Sequence, residues 1–539
     1  MQKYTRPDYQ AGIILTRTYF PSMIKNIESR SCLQILFLSI AIVIAQFVWE
    51  GHMGFNLSDE GFLWYGVQRV MQGEVPIRDF LAYDPGRYYW SAVLMSLWGD
   101  NGIVALRVTE SLFQSIGLFV GLLLIARSEK RQPLFFLALS TITLTAWMFT
   151  SFKVFDISVS ILLVGAIAFL VQKPTMRRYF ITGLCVGVAA IFGRNHGVYA
   201  LVACVGVVAY LKIKRTDGTG FFKGLGILFL GITVGYIPVI AAVLMVPGFA
   251  TSFLDTIRYL FESKTTNITL PIPWPWIWLR MIDASVPPIV AMAGLLYSLF
   301  FIAIPYFGVR STARIIWRKF QEKSSSPTLV AASFLALPYA HYAYSRADIV
   351  HLAMGIFPFL IGCLVVLAMQ PARIKWPVTL LLCSASLCVT FNYHSGWQCR
   401  YAMQCVKTEI SGSQIDVDAY TAGEIRLIRN LASQYSPDGQ NFLFTPSWPG
   451  AYAILDRKSP VEEIYAMTHR SPAFEQAEIS RLKTAKLSFA FVLDFPLDGR
   501  DELRYPNTHP LTYQYIRDNF VLISKPSDSN QQFYVAKNR

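Results

Sequence analysis

The chain has 539 residues, of which 53% are hydrophobic and 15% are charged, and its mean hydropathy is +0.39. This composition excludes an ordinary soluble protein and indicates many membrane spans. The net charge of +14 is typical of some nucleic-acid-binding proteins, but Lys and Arg cluster in short runs between apolar segments, as membrane topology requires. We therefore expect no nucleic-acid partner.

The N-terminal segment, residues 1–31, is polar and basic, and we interpret it as cytoplasmic. An apolar run from about Cys32 to Trp49 follows it. No small-residue cleavage site comes after that run, so the pattern favours a retained signal anchor over a removed signal peptide.

Further apolar segments bring the predicted total to about eleven crossings. Their approximate bounds are 103–126, 133–150, 156–171, 179–193, 197–211, 224–246, 286–307, 327–344, 350–369 and 376–392. One set of loops is basic and the other is short, or aromatic and acidic, so the positive-inside rule predicts that the second set is external. This orientation requires that residues 86–99, which are too short to span comfortably, do not cross.

The composition changes after the last apolar segment. We expect a transmembrane domain at 32–392 and a soluble extracytoplasmic α/β domain at 393–539. Helical spacing at 418–435 is followed by strand-like runs at 441–445, 488–495 and 520–525, with FYVAK near the end. Cys399 and Cys405 are predicted to be external, where they either form a disulfide or remain free thiols.

The first external loop, residues 50–89, carries Asp59, Glu60 and Asp84 among many aromatic residues. Aromatic rings with a polar edge settle at the headgroup level of a membrane, so these acids would face a partly lipid substrate. An isolated Asp-Glu pair is more often simply solvated. Charged residues at the external ends of later spans favour a functional role for these acids, because a charge there is costly unless it is used or paired.

Those further charges share one predicted membrane face. They are Lys153, Asp156, Arg194, His196, Arg346 and His351. Each also fits a local ion pair or a side chain that reaches to the interface. Arg107 and Glu110 have i, i+3 spacing and are predicted to pair with each other. Together, acids and cations on one face are suited to bind a phosphate diester and to deprotonate a hydroxyl.

Two consecutive stretches resemble a known family. SDEGFLWYGVQRVMQGEVPIRDF, followed by YDPGRYYWSAVLMSLWGDNGIVALR, is similar to the opening of GT-C fold integral-membrane glycosyltransferases. The nearest likeness is to the protein mannosyltransferase and lipid A aminoarabinose transferase superfamily. KVFDIS resembles the third acidic position of that family, and SRADIVH resembles an Arg-containing motif of bacterial members. The resemblance covers residues 30–200 and extends to the later spans only by layout.

The resemblance implies a mainly α fold, a polytopic helical bundle of GT-C type. It implies a polyprenyl-phosphate-linked sugar as donor and a glycan or lipid as acceptor, at the external membrane surface. Asp59 would be the general base, Glu60 its acidic neighbour in the catalytic set, and Asp84 the second acid that positions a substrate. Arg87, which stands where family members often have Lys, would bind phosphate with Arg194 and Arg346.

The remaining external charges, Lys153, Asp156, His196 and His351, complete the predicted substrate-binding set. One base opposite a leaving phosphate implies inversion at the sugar carbon. No metal or other cofactor is required, although paired acids permit a divalent metal.

Two other functions remain open. A transporter or flippase of lipid-linked sugar would place its ionisable residues near mid-span and often shows repeated halves, and no repeat is visible. An assembly or receptor protein would leave the external charges unexplained. The sequence has no P-loop, GxSxG or HExxH motif.

The sequon at Asn56 bears on localisation. A glycan there, three residues from Asp59, would block the predicted site. This favours a bacterial inner membrane with a periplasmic face.

Overall fold

The computed structural model describes residues 32–128, 132–213, 220–263, 267–281, 286–524 and 530–537. The predicted cytoplasmic segment, 1–31, lies outside the described residues. The described chain is mainly helical, and its sheets are small and follow the last long apolar helix.

The helices up to Thr390 carry the apolar segments. They are α1 (Cys32–Glu50), α2 (Asp59–Met71), α3 (Gly86–Trp98), α4 (Ile103–Ala126), α5 (Leu134–Ala146), α6 (Val154–Gln172), α7 (Met176–Phe192), α8 (Arg194–Lys212), α9 (Phe221–Gly235), α10 (Ile237–Met245), α11 (Phe249–Ser263), α12 (Pro275–Met281), α13 (Pro288–Phe320), α14 (Pro327–Ser345), α15 (Ile349–Gly355), α16 (Phe357–Ala368) and α17 (Ala372–Thr390).

Six of the described helices are long and apolar enough to cross a membrane: α1, α4, α6 with its preceding turn, α8, α13 and α17. Two bent pairs, α9–α10 at 57° and α15–α16 at 55°, raise the number to eight at most. The predicted segments at α5, α7 and α14 are helical but are not among these candidates, so eleven crossings are not confirmed. Helix α3 has 13 residues and is not a candidate span, and its failure to cross remains a prediction.

Glycines bring α7 and α9 unusually close together. Gly183 and Gly187 on α7 face Gly231 and Gly235 on α9, each pair four residues apart. A Cβ on Gly231 would lie 2.2 Å from the Phe180 carbonyl oxygen. Small residues at this spacing let helix backbones pack directly in lipid, where burying apolar side chains gives no advantage.

The C-terminal elements follow a short helical linker, α18 (Ser395–Trp397), and a disulfide joins Cys399 to Cys405. The elements are β1 (Cys405–Ile410), β2 (Ser413–Asp418), α19 (Ala419–Tyr435), β3 (Phe442–Thr445), α20 (Pro449–Ile454), α21 (Pro472–Ala485), β4 (Phe489–Leu493), α22 (Tyr505–Thr508), α23 (Pro510–Asn519), β5 (Phe520–Ser524) and β6 (Gln531–Ala536). Each predicted strand-like run forms a strand, and the helix predicted at 418–435 is α19.

The larger sheet has the strand order β3-β4-β6-β5, with β3 and β4 parallel and the other neighbours antiparallel. Side chains alternate along its strands. Phe442 and Phe444 face the large core shared with the membrane helices, while Leu443 faces a second core with Tyr505 and Ile516. The sheet is therefore covered on both faces.

The C-terminal domain packs directly on residues 50–89, the loop that is predicted to be external. Gly61 on α2 and Gly450 on α20 are so close that a Cβ on Gly61 would lie 2.5 Å from the Cα of Gly450. The Gly450 N–H donates to the Leu57 carbonyl at 2.9 Å, and the Ser58 hydroxyl donates to the Ser447 carbonyl at 2.7 Å. This contact fixes the N-terminal end of α2, where Asp59 lies.

Candidate active site

Asp59 is the first residue of α2. The Asn56 side-chain oxygen accepts hydrogen bonds from the backbone N–H groups of Ser58 and Asp59, at 2.9 and 2.8 Å, and so fixes the turn into the helix. The Asp59 side chain is 34% exposed, and its Oδ1 lies 3.8 Å from Nζ of Lys153. The carboxylate is therefore held in place through the backbone while one side stays open to solvent.

Glu60 has a different environment. Arg107 on α4 donates two hydrogen bonds to its carboxylate, Nε to Oε1 at 2.7 Å and Nη2 to Oε2 at 2.9 Å, and both side chains are buried. The same guanidinium donates to the carbonyl oxygens of Gly51, Met53 and Gly54. The pair therefore ties the start of the first external loop to α4.

This contact corrects one prediction. Arg107 does not form its salt bridge with Glu110, three residues along the same helix, but with Glu60, 47 positions away in sequence. The i, i+3 rule describes exposed helix surfaces, and a bidentate contact in the interior is stronger.

Asp156, near the start of α6, is the centre of a buried polar cluster. Arg87 donates to both of its oxygens, at 3.1 and 3.2 Å. His196 Nε2 lies 3.0 Å from Oδ1, and the Tyr342 hydroxyl donates to Oδ1 at 3.1 Å. His196 in turn contacts the Tyr339 hydroxyl through Nδ1 at 2.7 Å. These contacts join α3, α6, α8 and α14 at one point.

Tyr83 connects this buried cluster to Asp59. Lys153 donates from Nζ to the Tyr83 hydroxyl at 3.1 Å. Lys153 and Arg87 also lie over the Tyr83 ring, at 4.7 and 4.9 Å from its centroid. Cations over an aromatic face gain about 0.5–2 kcal/mol, so the ring holds Arg87 and Lys153 together, with Lys153 beside Asp59.

Asp84 and Arg194 form a second ion pair. Arg194 Nε lies 2.7 Å from Oδ1 of Asp84, and the Arg194 backbone N–H donates to Oδ2 at 2.8 Å. Arg194 also donates to the hydroxyl of Thr256 on α11 at 2.8 Å. Burial raises the pKa of Asp84 even though Arg194 acts to lower it.

Arg346 lies where the C-terminal domain meets the membrane helices. It donates two hydrogen bonds to Asp498, both at 2.8 Å, one to Asp348 at 2.7 Å and one to the Ile268 carbonyl at 3.0 Å. Asp348 also accepts from His351, at 2.8 Å from Nδ1. The charge of this arginine is thus compensated by two carboxylates.

Tyr465 of the C-terminal domain is half-buried and packs beside α2. Its ring centroid lies 5.8 Å from that of Phe62, one turn along α2 from Asp59. Burial raises the pKa of Tyr465 well above 10, the Asp59 charge raises it further, and Arg346 opposes both. The domain thus contributes a side chain to the region around Asp59.

The predicted site residues fall into four groups. Asp59, Lys153, Arg87, Asp156 and His196 form one continuous cluster through the contacts above. Asp84 pairs with Arg194, Arg346 and His351 meet around Asp348, and Glu60 points to α4. Within the part of the chain that the structure describes, no group of three or more His, Cys, Asp or Glu residues could hold a metal ion.

Comparison with solved structures identifies the fold. ArnT from Cupriavidus metallidurans bound to undecaprenyl phosphate superimposes with a TM-score of 0.56 at 13% identity, covering 93% of this chain and 97% of that one. The apo state of the same protein gives a TM-score of 0.51 at 13% identity, covering 94% and 98%. ArnT is a GT-C enzyme. The chain has a GT-C fold.

The oligosaccharyltransferase of Archaeoglobus fulgidus in its apo form aligns over 94% of this chain and 74% of its own, at 11% identity and a TM-score of 0.47, which is too low to support the assignment. No protein-family model and no curated protein matches the sequence. The GT-C assignment therefore rests on the arrangement of the helices.

Sequence reasoning missed several residues of this candidate site. Tyr83 and Tyr342 were visible only as members of aromatic segments, and nothing distinguished their hydroxyls. Tyr465 and Asp498 lie more than a hundred residues from the side chains that they contact. No local signal marks such residues, because their placement depends on how the C-terminal domain docks.

Proposed function

We propose that this protein is a membrane glycosyltransferase. It moves a sugar from a polyprenyl-phosphate donor to a glycan or lipid acceptor at the extracytoplasmic face, with Asp59 as general base. The membrane is a bacterial inner membrane, with 1–31 in the cytoplasm, 32–392 in the bilayer and 393–539 in the periplasm.

The three candidate acids differ in whether their carboxylates are paired with a cation, and this difference supports Asp59 as the base. Glu60 accepts two hydrogen bonds from Arg107, and Asp84 forms an ion pair with Arg194 at 2.7 Å. Asp59 receives no hydrogen bond on its carboxylate from any described residue, and Lys153 lies 3.8 Å away. A general base needs a free lone pair within reach of the proton that it takes. Glu60 and Asp84, whose carboxylates are already paired, hold residues 50–89 in position.

Lys153 is the cation that we assign first to the donor phosphate. It lies beside Asp59, and among the described residues its ammonium group makes one hydrogen bond, to Tyr83. Arg87 is committed to Asp156, and Arg194 and Arg346 are paired with acids. These arginines, together with His196 and His351, lie around the proposed reaction centre. Each arginine must release its present carboxylate before it can bind phosphate.

The proposed reaction is a single displacement. The acceptor hydroxyl gives its proton to Asp59 while its oxygen forms a bond to the anomeric carbon of the donor sugar. The bond between that carbon and the phosphate oxygen breaks, and its electron pair leaves with the polyprenyl phosphate. The configuration inverts, and nearby cations stabilise the charge of the leaving phosphate. We propose that this step needs no metal or other cofactor.

The class of donor is supported by the fold. The ArnT structure with a TM-score of 0.56 contains undecaprenyl phosphate, and GT-C enzymes of this kind use polyprenyl-phosphate donors. The burial of the Asp156 cluster at the ends of several membrane helices fits a substrate whose phosphate stays at the membrane surface.

The replacement Asp59→Asn tests the proposal. We expect transfer of sugar from a polyprenyl-phosphate donor to fall at least about 100-fold, because general-base catalysis contributes about that much or more. Transfer is measured as radiolabelled sugar leaving the donor in membranes that contain the protein. Asp255→Asn on α11, an exposed acid paired with Arg258, is the matched control and should keep full activity.

Full transfer by the Asp59→Asn variant would refute this mechanism. Donor that crosses the bilayer without cleavage in the presence of the wild-type protein would instead establish a flippase.

A further inference from the structure

A cavity of about 310 Å³ lies between the C-terminal end of α2 and the C-terminal domain. Arg69 and Gln72 line it from α2, and Gln440, Asn441, Asp456 and Arg457 line it from the domain. Asp59 and Arg69 are ten residues apart on one helix, which places them about 15 Å apart along its axis. The cavity is therefore separate from the proposed reaction centre.

Arg69 is the unusual residue of this cavity. Its side chain is buried, with 4% of the residue exposed, yet it donates no hydrogen bond to any described residue. Its ion-pair partners, Glu74 and Asp456, lie at 3.8 Å, and its guanidinium stacks over the Tyr65 ring at 5.5 Å. A buried guanidinium without hydrogen-bond acceptors is costly unless something else supplies them.

The other groups show which ligand would supply them. Three cations line the cavity, Arg69, Arg457 and Lys458. Two carboxylates oppose them: Asp456 in the lining and Glu74, whose Oε1 lies 2.7 Å from Nζ of Lys458 and 3.8 Å from Nη1 of Arg69. The Gln440 side-chain oxygen is buried without a hydrogen-bond partner, and Asn441 uses its amide N–H on the Ala485 carbonyl. The net positive charge favours an anion, while the amides and the carboxylate offer donors and acceptors to hydroxyl groups.

We propose that this cavity binds an acidic sugar residue, a saccharide that carries a carboxylate or a phosphate. The guanidinium of Arg69 pairs with the acidic group, and Gln440, Asn441 and Asp456 bind the hydroxyls. The further identification of this sugar as part of the acceptor glycan rests on the proposed function. The cavity would bind one sugar of the acceptor glycan, and a short oligosaccharide could reach from there to Asp59.

The binding test uses the full chain in lipid nanodiscs and four small probes. Saturation-transfer NMR is recorded with glucuronate, glucose 6-phosphate, glucose and inorganic phosphate. We expect binding of the two acidic sugars and at least tenfold weaker binding of glucose and of inorganic phosphate. Equal binding of phosphate would make this a plain anion site, equal binding of glucose a neutral-sugar site, and no binding a water-filled cavity, and each result overturns the proposal.

Variants locate the site. Arg69→Gln and Arg457→Ala should each weaken glucuronate binding at least tenfold. Arg457 follows α20 in the C-terminal domain, so its replacement leaves helix α2 unchanged. Lys407→Ala, an exposed cation on β1, is the control and should bind as the wild type does. Unchanged binding by Arg457→Ala together with Arg69→Gln would place the sugar elsewhere and refute the proposal.

The same experiment separates the two proposals. Asp59→Asn should keep wild-type binding of glucuronate because it lies outside the cavity. If that variant also keeps full transfer activity, the proposed function fails while the sugar site stands. If binding is absent but Asp59→Asn is inactive, the sugar site fails and the enzyme remains.

Discussion

Asp59 and Glu60 are neighbours in sequence, yet their carboxylates lie in different surroundings. Successive residues at the start of a helix point about 100° apart, so Asp59 faces Lys153 and the solvent while Glu60 faces α4. One carboxylate is available for proton transfer, and the other is neutralised inside the protein. The two should therefore respond differently to the same chemical change.

Glu60→Gln should destabilise the protein, because it leaves Arg107 charged and buried without its partner. Removing one member of a buried ion pair costs about 3–5 kcal/mol. We expect a clearly lower thermal unfolding temperature in detergent, measured by intrinsic fluorescence, whereas Asp59→Asn should leave that temperature unchanged. A Glu60→Gln protein with wild-type stability and no activity would show that Glu60 acts in catalysis.

Glu478 on α21 should make stability depend on pH. Burial raises its pKa from 4.5 to about 7, although Arg481 acts to lower it. The folded state then holds this proton more tightly than the unfolded state, so the contribution of Glu478 to stability falls as the pH rises from about 4.5 to about 7. Glu478→Gln removes this dependence.

Thermal unfolding across that pH range checks the effect. Relative to wild type, the unfolding temperature of Glu478→Gln should rise between pH 4.5 and 7. Glu502→Gln, at an exposed acid of the same domain whose pKa is lowered by its hydrogen bond with Arg500, should show no such trend. Parallel curves for wild type and Glu478→Gln would contradict the raised pKa.

At the scale of elements, glycines determine how α7 and α9 pack. Gly231→Leu should destabilise the helix pair by about 1–3 kcal/mol or more, because its side chain would overlap the α7 backbone. Gly226→Leu on the same helix is a matched control, since a Cβ there meets nothing within 4 Å. Protease resistance and unfolding temperature in detergent measure the difference. Equal stability of the two variants would mean that the close contact does not form.

Helices and strands were largely predictable, since hydropathy and alternation act locally. Each predicted strand is present, and the predicted apolar segments are helical. The number of crossings was not predictable in the same way. Some helices, such as α14 with His341, carry polar residues among apolar ones. Two helix pairs, α9–α10 and α15–α16, bend sharply. The number of helices therefore does not give the number of membrane spans.

The geometry of the candidate site was predictable only in part. Asp59 stood out because acids among aromatic residues at a membrane face are unusual, and the family resemblance pointed to the same position. The pairing of each charge was not predictable. Glu60 meets Arg107 across 47 residues and Arg346 meets Asp498 across 152, and such contacts follow from tertiary packing. Local spacing therefore gave the wrong partner for Arg107.

At the scale of the whole molecule, the C-terminal domain completes the surroundings of Asp59. It contacts the first external loop through Gly450 and Ser447, and α11 through a hydrogen bond of 2.6 Å between the hydroxyls of Tyr259 and Thr468. It also supplies Tyr465 and Asp498. Domain and membrane helices thus form one structure around the candidate site, and we predict that the domain controls which charges are available there.

Asp498 provides the test of that control. Its carboxylate holds the Arg346 guanidinium with the bidentate geometry that a phosphate would use, so the two compete if Arg346 binds the donor. Asp498→Asn should therefore lower the KM for the polyprenyl-phosphate donor several-fold without lowering kcat. Asp501→Asn, in the next turn and 82% exposed at its side chain, should leave both constants unchanged.

A raised KM in Asp498→Asn would show the opposite arrangement, in which the ion pair holds the domain in its active position. The double variant Asp498→Asn with Arg346→Ala distinguishes competition with phosphate from positioning of the domain. If Asp498 competes with phosphate, its replacement has no effect on KM once Arg346 is absent, because nothing remains for the carboxylate to occupy. If the pair holds the domain, each single replacement already breaks it, and the two single variants and the double variant should share the same raised KM.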